Sequence, residues 1–292
     1  MTLNLRPGGA LLVPYLTGAI TPDWTDHLLA CQDAGADAVE VGLPFSDPML
    51  DGTTIQLASD RALARGATPA GILDDLAAVR DRLTIPVVVM TYANLALRLG
   101  PARLATAGVS GLIVPDLPLE ESEELEAASA AAGVDLVLLA APSTPDDRLR
   151  EICRRSRGFV YAVSTMGTTG ERARLDPAAA VLATRLRRAV RDARPPLSPP
   201  DPLPVLVGFG VSTPEQAAEA GRAGDGVIVG AALMRRVLDG ATPAELRRDV
   251  AALRAALGVP RLPAVRGAEA GPPSDQGVST ATAYAEVPGD RR

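Results

Sequence analysis

The sequence is poor in the side chains that most often bind metals or act as nucleophiles. Its 292 residues include one histidine, His27, and two cysteines, Cys31 and Cys153, which lie far apart in segments whose apolar spacing predicts helices. A zinc site needs more such ligands, and a disulfide framework needs more cysteines. A Ser-His-Asp mechanism would have to use His27. The composition therefore excludes a zinc site and a disulfide framework, and it allows a Ser-His-Asp mechanism only at His27.

Long runs of positive charge and long apolar runs are also absent. The formal net charge is −6, and consecutive basic residues never exceed arginine pairs such as Arg187-Arg188. Because nucleic-acid-binding surfaces normally cluster positive charge, we expect no nucleic-acid partner. No stretch approaches the roughly 20 apolar residues of a membrane helix. The apolar run 9–16 is interrupted by Pro14 and has no basic segment before it, so we expect a cytoplasmic protein that binds no membrane.

The chain does contain a repeated alternation of apolar and amphipathic segments. Hydrophobic residues make up 47% and charged residues 22% of a length that suits one α/β barrel or two smaller domains. Between the apolar runs, spacing such as that of Ile72, Leu76 and Val79 predicts helices. Eight short apolar runs end at polar or glycine-containing turns and predict strands at 11–16, 38–43, 87–92, 111–116, 136–141, 159–164, 205–210 and 226–231.

The predicted strands are continuously apolar rather than apolar at alternate positions. This pattern is typical of parallel strands that are buried on both faces. Eight such βα units close most naturally into a TIM barrel, (β/α)8. The alternative, an open doubly wound sheet, carries a G-x-G-x-x-G turn after its first strand, whereas 17–20 is Thr-Gly-Ala-Ile. We predict a single α/β domain, a TIM barrel, over 1–265, followed by a disordered C-terminal tail over 266–292, which is rich in Gly, Pro, Ser and Thr.

Several dipeptides predict where helices begin. Each places a side-chain oxygen that can cap a helix directly before a proline, which suits the first helical position. We therefore expect a helix to begin at each proline of Thr68-Pro69, Thr144-Pro145, Asp176-Pro177, Thr213-Pro214 and Thr242-Pro243.

Two carboxylates lie near the C-terminal end of the second strand, the end of the barrel where such enzymes work. Glu40 lies within the apolar run 38–43, where an unpaired ionised carboxylate would be costly. It is therefore either bonded to a structural partner or held with a raised pKa for catalysis. Asp51 follows in the next loop and could cap a helix or act with Glu40. Carboxylates in different surroundings can serve as acid/base and as electrostatic partner.

The ends of strands seven and eight are rich in glycine. The segments 208–210 (Gly-Phe-Gly) and 230–231 (Gly-Ala) lie where barrels commonly bind phosphate through backbone N–H groups, and the alternative is that these glycines only allow tight turns. A polar loop over 164–172 could close over this end as a lid. Three of the four tyrosines lie near strand ends and favour an aromatic substrate, with packing inside the barrel as the alternative: Tyr15, Tyr92 and Tyr161.

The residues around both carboxylates resemble the signature of the tryptophan synthase alpha chain family. The segment 38–56 (AVEVGLPFSDPMLDGTTIQ) carries the resemblance, and the likeness extends over about 11–257. It implies retro-aldol cleavage of indole-3-glycerol phosphate to indole and glyceraldehyde 3-phosphate. It also implies that indole passes to a beta chain that holds pyridoxal phosphate, in an α2β2 heterotetramer of two alpha and two beta chains, and that this chain holds no cofactor or metal. Further family motifs follow in order at 90–94 (MTYAN), 114–118 (VPDLP), 167–170 (GTTG) and 208–212 (GFGVS).

The resemblance also implies a role for individual residues. Glu40 would be the acid/base that protonates indole C3 and assists deprotonation of the glycerol hydroxyl, and Asp51 would accept a hydrogen bond from the indole N–H. Asp47 and Thr169 would contact the beta chain. The implied substrate-binding residues are Tyr15, Ile55, Tyr92, Tyr161, Gly170, Phe209, Gly210, Gly230 and Ala231.

Some positions depart from the family pattern. Ala231 stands where a serine is usual, which removes a hydroxyl from the phosphate site, and Thr53 stands where a proline is usual. These departures motivate one alternative, a weakly catalytic regulatory subunit that activates a beta chain. A second alternative, a free-standing lyase that releases indole, also stays open. The presence of both Glu40 and Asp51 argues against a purely non-catalytic subunit, since a carboxyl group buried without a function is costly.

Overall fold

The structure, a computed structural model, describes residues 3, 5, 8–163, 177–193, 203–208 and 210–258. Within them, eight parallel strands form a closed barrel in which neighbours along the chain pair with one another and the last strand pairs with the first. This confirms the predicted TIM barrel. The strands are β1 (Leu11–Thr17), β2 (Val39–Gly42), β3 (Val87–Met90), β4 (Val109–Ile113), β5 (Asp135–Ala140), β6 (Val160–Val163), β7 (Val205–Gly208) and β8 (Gly226–Val229).

Helices surround the strands and make the crossovers between them. A short 3-10 helix, Leu119–Glu121, follows β4. The described residues all belong to one unit of the chain, Met1–Leu262. The predicted tail over 266–292 lies outside the described residues, so its boundary stays a prediction. The described α-helices are α1 (Trp24–Asp33), α2 (Thr53–Ala64), α3 (Pro69–Val79), α4 (Ala93–Leu99), α5 (Pro101–Thr106), α6 (Glu123–Ala132), α7 (Asp146–Arg155), α8 (Pro177–Ala193), α9 (Pro214–Ala223), α10 (Ala231–Leu238) and α11 (Pro243–Ala256).

The fourth strand differs most from its prediction, which placed it at 111–116. It begins earlier, at Val109, because Val109 pairs with Val87 of β3. Ser110 is then an extra residue before Gly111, which pairs with Val88. The strand ends at Ile113 because the chain turns around Pro115, which has no N–H to donate to a sheet. The other strand ends lie within two residues of their predicted positions.

Most of the predicted helix starts are confirmed. Thr68, Thr213 and Thr242 each precede a proline at the first helical position, and the side-chain oxygen of each accepts a hydrogen bond from the N–H three residues further on. Helix α8 also begins at its predicted proline, Pro177, whereas Asp176 before it lies outside the described residues. Local capping chemistry therefore sets the three helix starts at Pro69, Pro214 and Pro243.

The helix start predicted at Thr144-Pro145 is wrong by one residue. Helix α7 begins at Asp146, and Pro145 occupies the capping position. The Thr144 hydroxyl oxygen instead accepts a hydrogen bond from the N–H of Ala141 (3.0 Å), so it stabilises the turn before the helix. The carboxylate of Asp146 in the first helical turn takes over the favourable interaction with the helix N-terminus.

The inside of the barrel is a packed apolar core that is closed at the N-terminal ends of the strands by Leu3. Leu3 is 2% exposed and lies against Gly111 and Gly158, where an added Cβ would overlap its side chain. The N–H of Leu3 donates to Asp135 Oδ2 (3.0 Å). Leu3 therefore seals one end of the barrel, and the core inside includes Leu11, Val13, Val88, Ile113, Val137, Phe159, Leu206 and Ile228.

A buried ion pair ties the last described helix to the first strands. Arg254 of α11 and Asp37, just before β2, are each 4% exposed at their side chains, and Arg254 Nη1 lies 3.0 Å from Asp37 Oδ2. Arg254 also donates to the carbonyl oxygen of Ala10 (2.6 Å). Asp37 exchanges two hydrogen bonds with Leu12 of β1, through its side chain (2.9 Å) and its N–H (2.9 Å).

The same arrangement recurs at the start of β8. Asp225 exchanges two hydrogen bonds with Val205 of β7, through its side chain (2.9 Å) and its N–H (2.7 Å). Arg187 of α8 pairs with Asp225 (2.7 Å) and donates to the carbonyl oxygen of Gly224. This second pair is more exposed, with side-chain exposures of 38% for Arg187 and 26% for Asp225. Two aspartates thus align neighbouring strands, each neutralised by an arginine from an outer helix.

The scarce histidine and cysteines lie in outer helices. His27 of α1 is buried, and its ring nitrogens Nδ1 and Nε2 lie 3.2 Å from the backbone oxygen of Asp23 and 3.1 Å from that of Ala241. Cys31 of α1 and Cys153 of α7 are both buried, and the Cys153 thiol donates to the carbonyl oxygen of Leu186 (3.9 Å). Within the described ranges, no His, Cys, Asp and Glu side chains cluster in a way that could hold a metal. No described helix is long and apolar enough to cross a bilayer.

Candidate active site

A cavity opens at the C-terminal ends of the strands and contains both predicted carboxylates. It holds about 430 Å³ of empty space, including its opening to solvent. Gly170, Phe209 and Thr169 lie outside the described residues. The described lining residues that were predicted are Tyr15, Glu40, Asp51, Ile55, Tyr161, Gly210, Gly230 and Ala231, and those that were not predicted are Met90, Val211 and Ile228.

Glu40 projects into this cavity from the middle of β2. It pairs in register with Tyr15 of β1 and Val88 of β3 and is only 1% exposed. Within the described part of the chain, its Oε2 atom is buried without a hydrogen-bond partner. A carboxyl group that served only to hold the fold together would have both oxygens bonded. The carboxyl of Glu40 therefore has a free position for a substrate atom.

The surroundings of Glu40 favour its protonated form. Burial raises the pKa of Glu40 to about 8, and the nearby negative charge of Asp51 adds to the shift. Because this pKa lies above neutrality, Glu40 holds its proton at pH 7. A buried neutral carboxyl with one free oxygen is suited to general acid catalysis.

Asp51 lies in the loop before α2 and does not cap that helix. Gly52 occupies the capping position without a side-chain hydrogen bond. The Asp51 carboxylate instead accepts a hydrogen bond from the Tyr92 hydroxyl (3.2 Å), and Gln56 Nε2 donates to the Asp51 backbone oxygen (2.8 Å). Burial raises the pKa of Asp51 to about 6, against the lowering effect of the Tyr92 hydrogen bond. Asp51 is therefore mostly ionised at neutral pH, whereas Glu40 is protonated.

Two tyrosines flank Glu40, and each lies over a glycine of the next strand. Tyr15 of β1 covers Gly42 of β2, and Tyr161 of β6 covers Gly208 of β7. A Cβ atom at either glycine would overlap the tyrosine ring, so both positions require glycine for close approach. The Tyr15 hydroxyl lies 3.3 Å from the hydroxyl of Thr17. Burial strongly raises the pKa of both tyrosines, so both stay neutral.

Gly208→Ala is expected to destabilise the protein by about 1–3 kcal/mol, because the new methyl group overpacks against Tyr161. Urea denaturation of the variant measures the free energy of unfolding. The matched control is the same substitution in a Tyr161→Leu background, where the smaller side chain leaves room for the methyl group. The cost should fall well below that in the wild-type background. An equal cost in both backgrounds would contradict the overlap.

Tyr92 does not line the cavity and instead contacts the loop that carries Asp51. Besides donating to Asp51, its hydroxyl accepts a hydrogen bond from the N–H of Leu50 (3.1 Å). Its ring stacks on Phe45 with 4.7 Å between centroids. Burial raises the pKa of Tyr92 to about 12, so the hydroxyl stays a donor. The structure thus gives Tyr92 contacts with the loop rather than a place in the cavity wall.

The opposite wall of the cavity consists of backbone from the ends of β7 and β8. Gly210 has a φ of 91°, a conformation that suits glycine, and Gly230 precedes α10 at the capping position. The first N–H groups of a helix have no partner within the helix and attract anions. Ala231, the first residue of α10, brings an N–H but no hydroxyl. This wall can bind a phosphate group through its backbone.

The lining residues that sequence reasoning missed are apolar and lie on strand ends. Met90 ends β3 two residues after the inward-facing Val88, and Ile228 lies two residues before Gly230. Val211 directly follows Gly210. Alternation along a strand places residues two apart on the same face. This signal could have identified Met90 and Ile228 once the inward positions of β3 and β8 were assigned.

The chain resembles known proteins of a single family over most of its length. Residues 2–258 match the family model described as tryptophan synthase alpha chain. Curated proteins of that name from Gloeobacter violaceus and a Synechococcus strain are 45% and 44% identical over 80% of this chain, covering 83% and 85% of their own lengths. Tryptophan synthase from Mycobacterium tuberculosis matches with a TM-score of 0.74 and 37% identity over 85% of this chain and 93% of its own. A mutant alpha-subunit from Pyrococcus furiosus matches with a TM-score of 0.73 and 35% identity over 84% of this chain and 98% of its own.

Proposed function

The chain belongs to the tryptophan synthase alpha chain family, a lyase of tryptophan synthesis, and from this premise we propose that it cleaves indole-3-glycerol phosphate to indole and glyceraldehyde 3-phosphate. The observation that carries the proposal is the pair of carboxylates in one cavity. Glu40 is protonated and has a free oxygen, whereas Asp51 is ionised at the same pH. A retro-aldol cleavage of an indole substrate needs both a proton donor and an anion.

Glu40 acts as acid and then as base. Its carboxyl donates a proton to C3 of the indole ring, which converts C3 to a tetrahedral carbon and leaves a positive charge on the ring nitrogen. The resulting Glu40 carboxylate then takes the proton of the glycerol hydroxyl next to C3. As that oxygen becomes the aldehyde carbonyl, the bond from C3 to the glycerol carbon breaks. The electron pair of this bond returns to the ring and restores neutral indole.

Asp51 stabilises the charge that appears in the first step. An ionised carboxylate accepts a hydrogen bond from the indole N–H and becomes a stronger partner when that nitrogen carries positive charge. Burial of the Asp51 carboxylate strengthens this interaction because less water competes for it. The interaction is therefore stronger in the intermediate than in the bound substrate, which is the requirement for catalysis.

No imine of a protein lysine takes part in the bond cleavage. The 292 residues contain no lysine, so the aldehyde product cannot be held as a lysine imine. In the proposed mechanism, the indole ring itself accepts the electrons of the broken bond once C3 is protonated. This chain therefore needs no cofactor for its step, and the pyridoxal phosphate implied by the family would serve the beta chain.

The phosphate of the substrate binds at the backbone wall. Among the described residues, Gly210, Gly230 and Ala231 bring N–H groups to the cavity, and the apolar wall around Ile55 and Tyr161 takes the indole ring. Phe209 and Gly170 complete this site on the basis of the family resemblance. Because Ala231 has no hydroxyl, the phosphate depends on backbone donors at that position.

The partner of the chain is a beta chain that receives indole, in a heterotetramer located in the cytoplasm. The loop before α2 supports a docking role because Asp47 is exposed beside two exposed apolar residues, Met49 (78%) and Leu50 (42%). Exposed apolar side chains next to a charge are typical of protein interfaces. The same loop carries Asp51 at its end, so partner binding would act close to the reacting atoms. Thr169 is expected to contact the same partner.

The assay that tests the proposal follows indole release from indole-3-glycerol phosphate by the purified chain, with and without a beta chain. We expect release that increases when a beta chain is added. Fast release from the chain alone, unchanged by a beta chain, would instead identify a free-standing lyase. Absence of release under both conditions would contradict the enzymatic function and leave a regulatory subunit.

A further inference from the structure

We propose that Tyr92 and Asp116 form a brace across three neighbouring loops of the barrel that holds the Asp51 carboxylate in position for the indole N–H. Tyr92 follows β3, Asp116 follows β4 and Asp51 follows β2. The inference deepens the proposed function and rests on it for the identity of the group that Asp51 binds. Both brace residues act through Asp51, so they are positioning residues rather than catalytic ones.

The first part of the brace consists of the contacts between Tyr92 and the loop before α2. Its hydroxyl donates to Asp51 Oδ2 (3.2 Å) and accepts from the N–H of Leu50 (3.1 Å), while its ring stacks on Phe45. These contacts engage the loop near its start and at its end. A donor that points at one carboxylate oxygen fixes the carboxylate orientation and leaves the other oxygen for a ligand. Tyr92 itself is 6% exposed and therefore has little freedom to move.

The second part of the brace fixes the backbone next to Tyr92. Asp116 Oδ1 accepts a hydrogen bond from the N–H of Ala93 (2.8 Å), the first residue of α4. Tyr92 occupies the capping position of that helix but offers it no side-chain hydrogen bond. Asp116 therefore supplies from the next loop the cap that α4 lacks. This contact assigns a structural role to Asp116 of the Val-Pro-Asp-Leu-Pro motif at 114–118.

The brace matters chemically because other bonds of the Asp51 loop hold its backbone rather than the carboxylate: Gln56 Nε2 donates to the Asp51 backbone oxygen, and the Asp51 N–H donates to the Pro48 carbonyl oxygen (3.1 Å). Met49 and Leu50 on this loop are exposed. Without the Tyr92 hydroxyl, the carboxylate could rotate, and its affinity for the indole N–H would be averaged over several orientations. The titratable groups that face Asp51 in the described structure are Glu40, Tyr15, Tyr92 and Tyr161. Of these, Tyr92 is the group whose hydrogen bond lowers the pKa of Asp51.

The test is a double-mutant cycle on binding of an indole 3-alkyl phosphate that lacks the cleavable hydroxyl. Tyr92→Phe keeps the stacked ring and should weaken binding about tenfold in the wild-type background. In an Asp51→Asn background, the same change should weaken binding less than twofold, because the carboxylate that the brace positions is gone. A purely structural role would weaken binding equally in both backgrounds, and that result would overturn the proposal.

Two further measurements separate the brace from general damage to the fold. In Tyr92→Phe, the pKa of the Asp51 carboxyl followed by carbon NMR should rise, since a hydrogen bond to its ionised form is lost. Asp116→Ala should weaken binding in the same direction, whereas Asp81→Ala, a matched change of a 98% exposed aspartate, should leave binding unchanged. An unchanged Asp51 pKa would contradict the brace. Failure of the unmodified chain to bind the indole 3-alkyl phosphate would instead overturn the proposed function.

Discussion

Glu40→Gln is expected to lower the rate of indole release from indole-3-glycerol phosphate by about 10³-fold. The amide has nearly the shape of the protonated carboxyl, so the cavity and its lining should persist. It cannot donate a proton to C3 or accept the proton of the glycerol hydroxyl, so both steps lose their acid/base. Single-turnover measurements with saturating substrate would report the chemical step directly.

Glu40→Gln should also change the pH dependence of protein stability, which a substitution that only removes activity would not do. Burial raises the pKa of Glu40 from 4.5 to about 8, so the folded state binds this proton more tightly than the unfolded state. The wild-type stability that depends on the proton is present below pH 4.5 and is lost as the pH rises through about 8. Glu40→Gln has no such proton to lose. Its melting temperature relative to wild type should therefore increase over this range, and a difference independent of pH would contradict a buried neutral Glu40.

Arg254→Met is expected to destabilise the protein by about 3–5 kcal/mol, because it leaves the Asp37 carboxylate buried without its cation. Arg254 and Asp37 are each only 4% exposed, so water cannot replace the lost partner. Asp37 also aligns the start of β2 with Leu12 of β1, and a protonated or displaced Asp37 would weaken that alignment. Urea denaturation at neutral pH would measure the loss.

The barrel supplies its own control for this substitution. Arg187→Met removes the cation from the equivalent arrangement at Asp225, where both side chains are partly exposed. Water can solvate the remaining carboxylate there, so the cost should be about 1 kcal/mol. Equal losses of unfolding free energy for Arg254→Met and Arg187→Met would contradict this explanation, in which the burial of Asp37, and not its hydrogen-bond pattern, sets the cost.

The fold could be predicted from the sequence because the strands of a parallel barrel are buried on both faces and are therefore continuous apolar runs. The prediction was least accurate where a local feature interrupts that pattern. Ser110 adds a residue within β4 that belongs to the strand without being apolar, and Pro115 ends the strand before its apolar run ends. At Thr144, two competing uses of one hydroxyl could not be distinguished, since both a helix cap and a preceding turn suit threonine.

A residue of the site could be predicted from the sequence where an ionisable side chain lies within an apolar segment. A carboxyl group within an apolar strand, such as Glu40, is costly enough that its position alone suggests a function. The contacts of the Tyr15 ring with Gly42 and of the Tyr161 ring with Gly208 could not be predicted, because they depend on the register between neighbouring strands. The bond from Tyr92 to Asp51 joins residues 41 apart in the chain, and no local pattern indicates it.

The pH dependence of kcat/KM for indole release tests directly whether Glu40 is protonated while Asp51 is ionised. We expect a rate that rises through pH about 6 as Asp51 ionises and falls through pH about 8 as Glu40 loses its proton. In Asp51→Asn the low-pH rise should disappear and the fall near pH 8 should move to lower pH, because the charge that helps to raise the Glu40 pKa is gone. A rate that continues to increase through pH 8 would show that the active form of Glu40 is the carboxylate and would contradict the account.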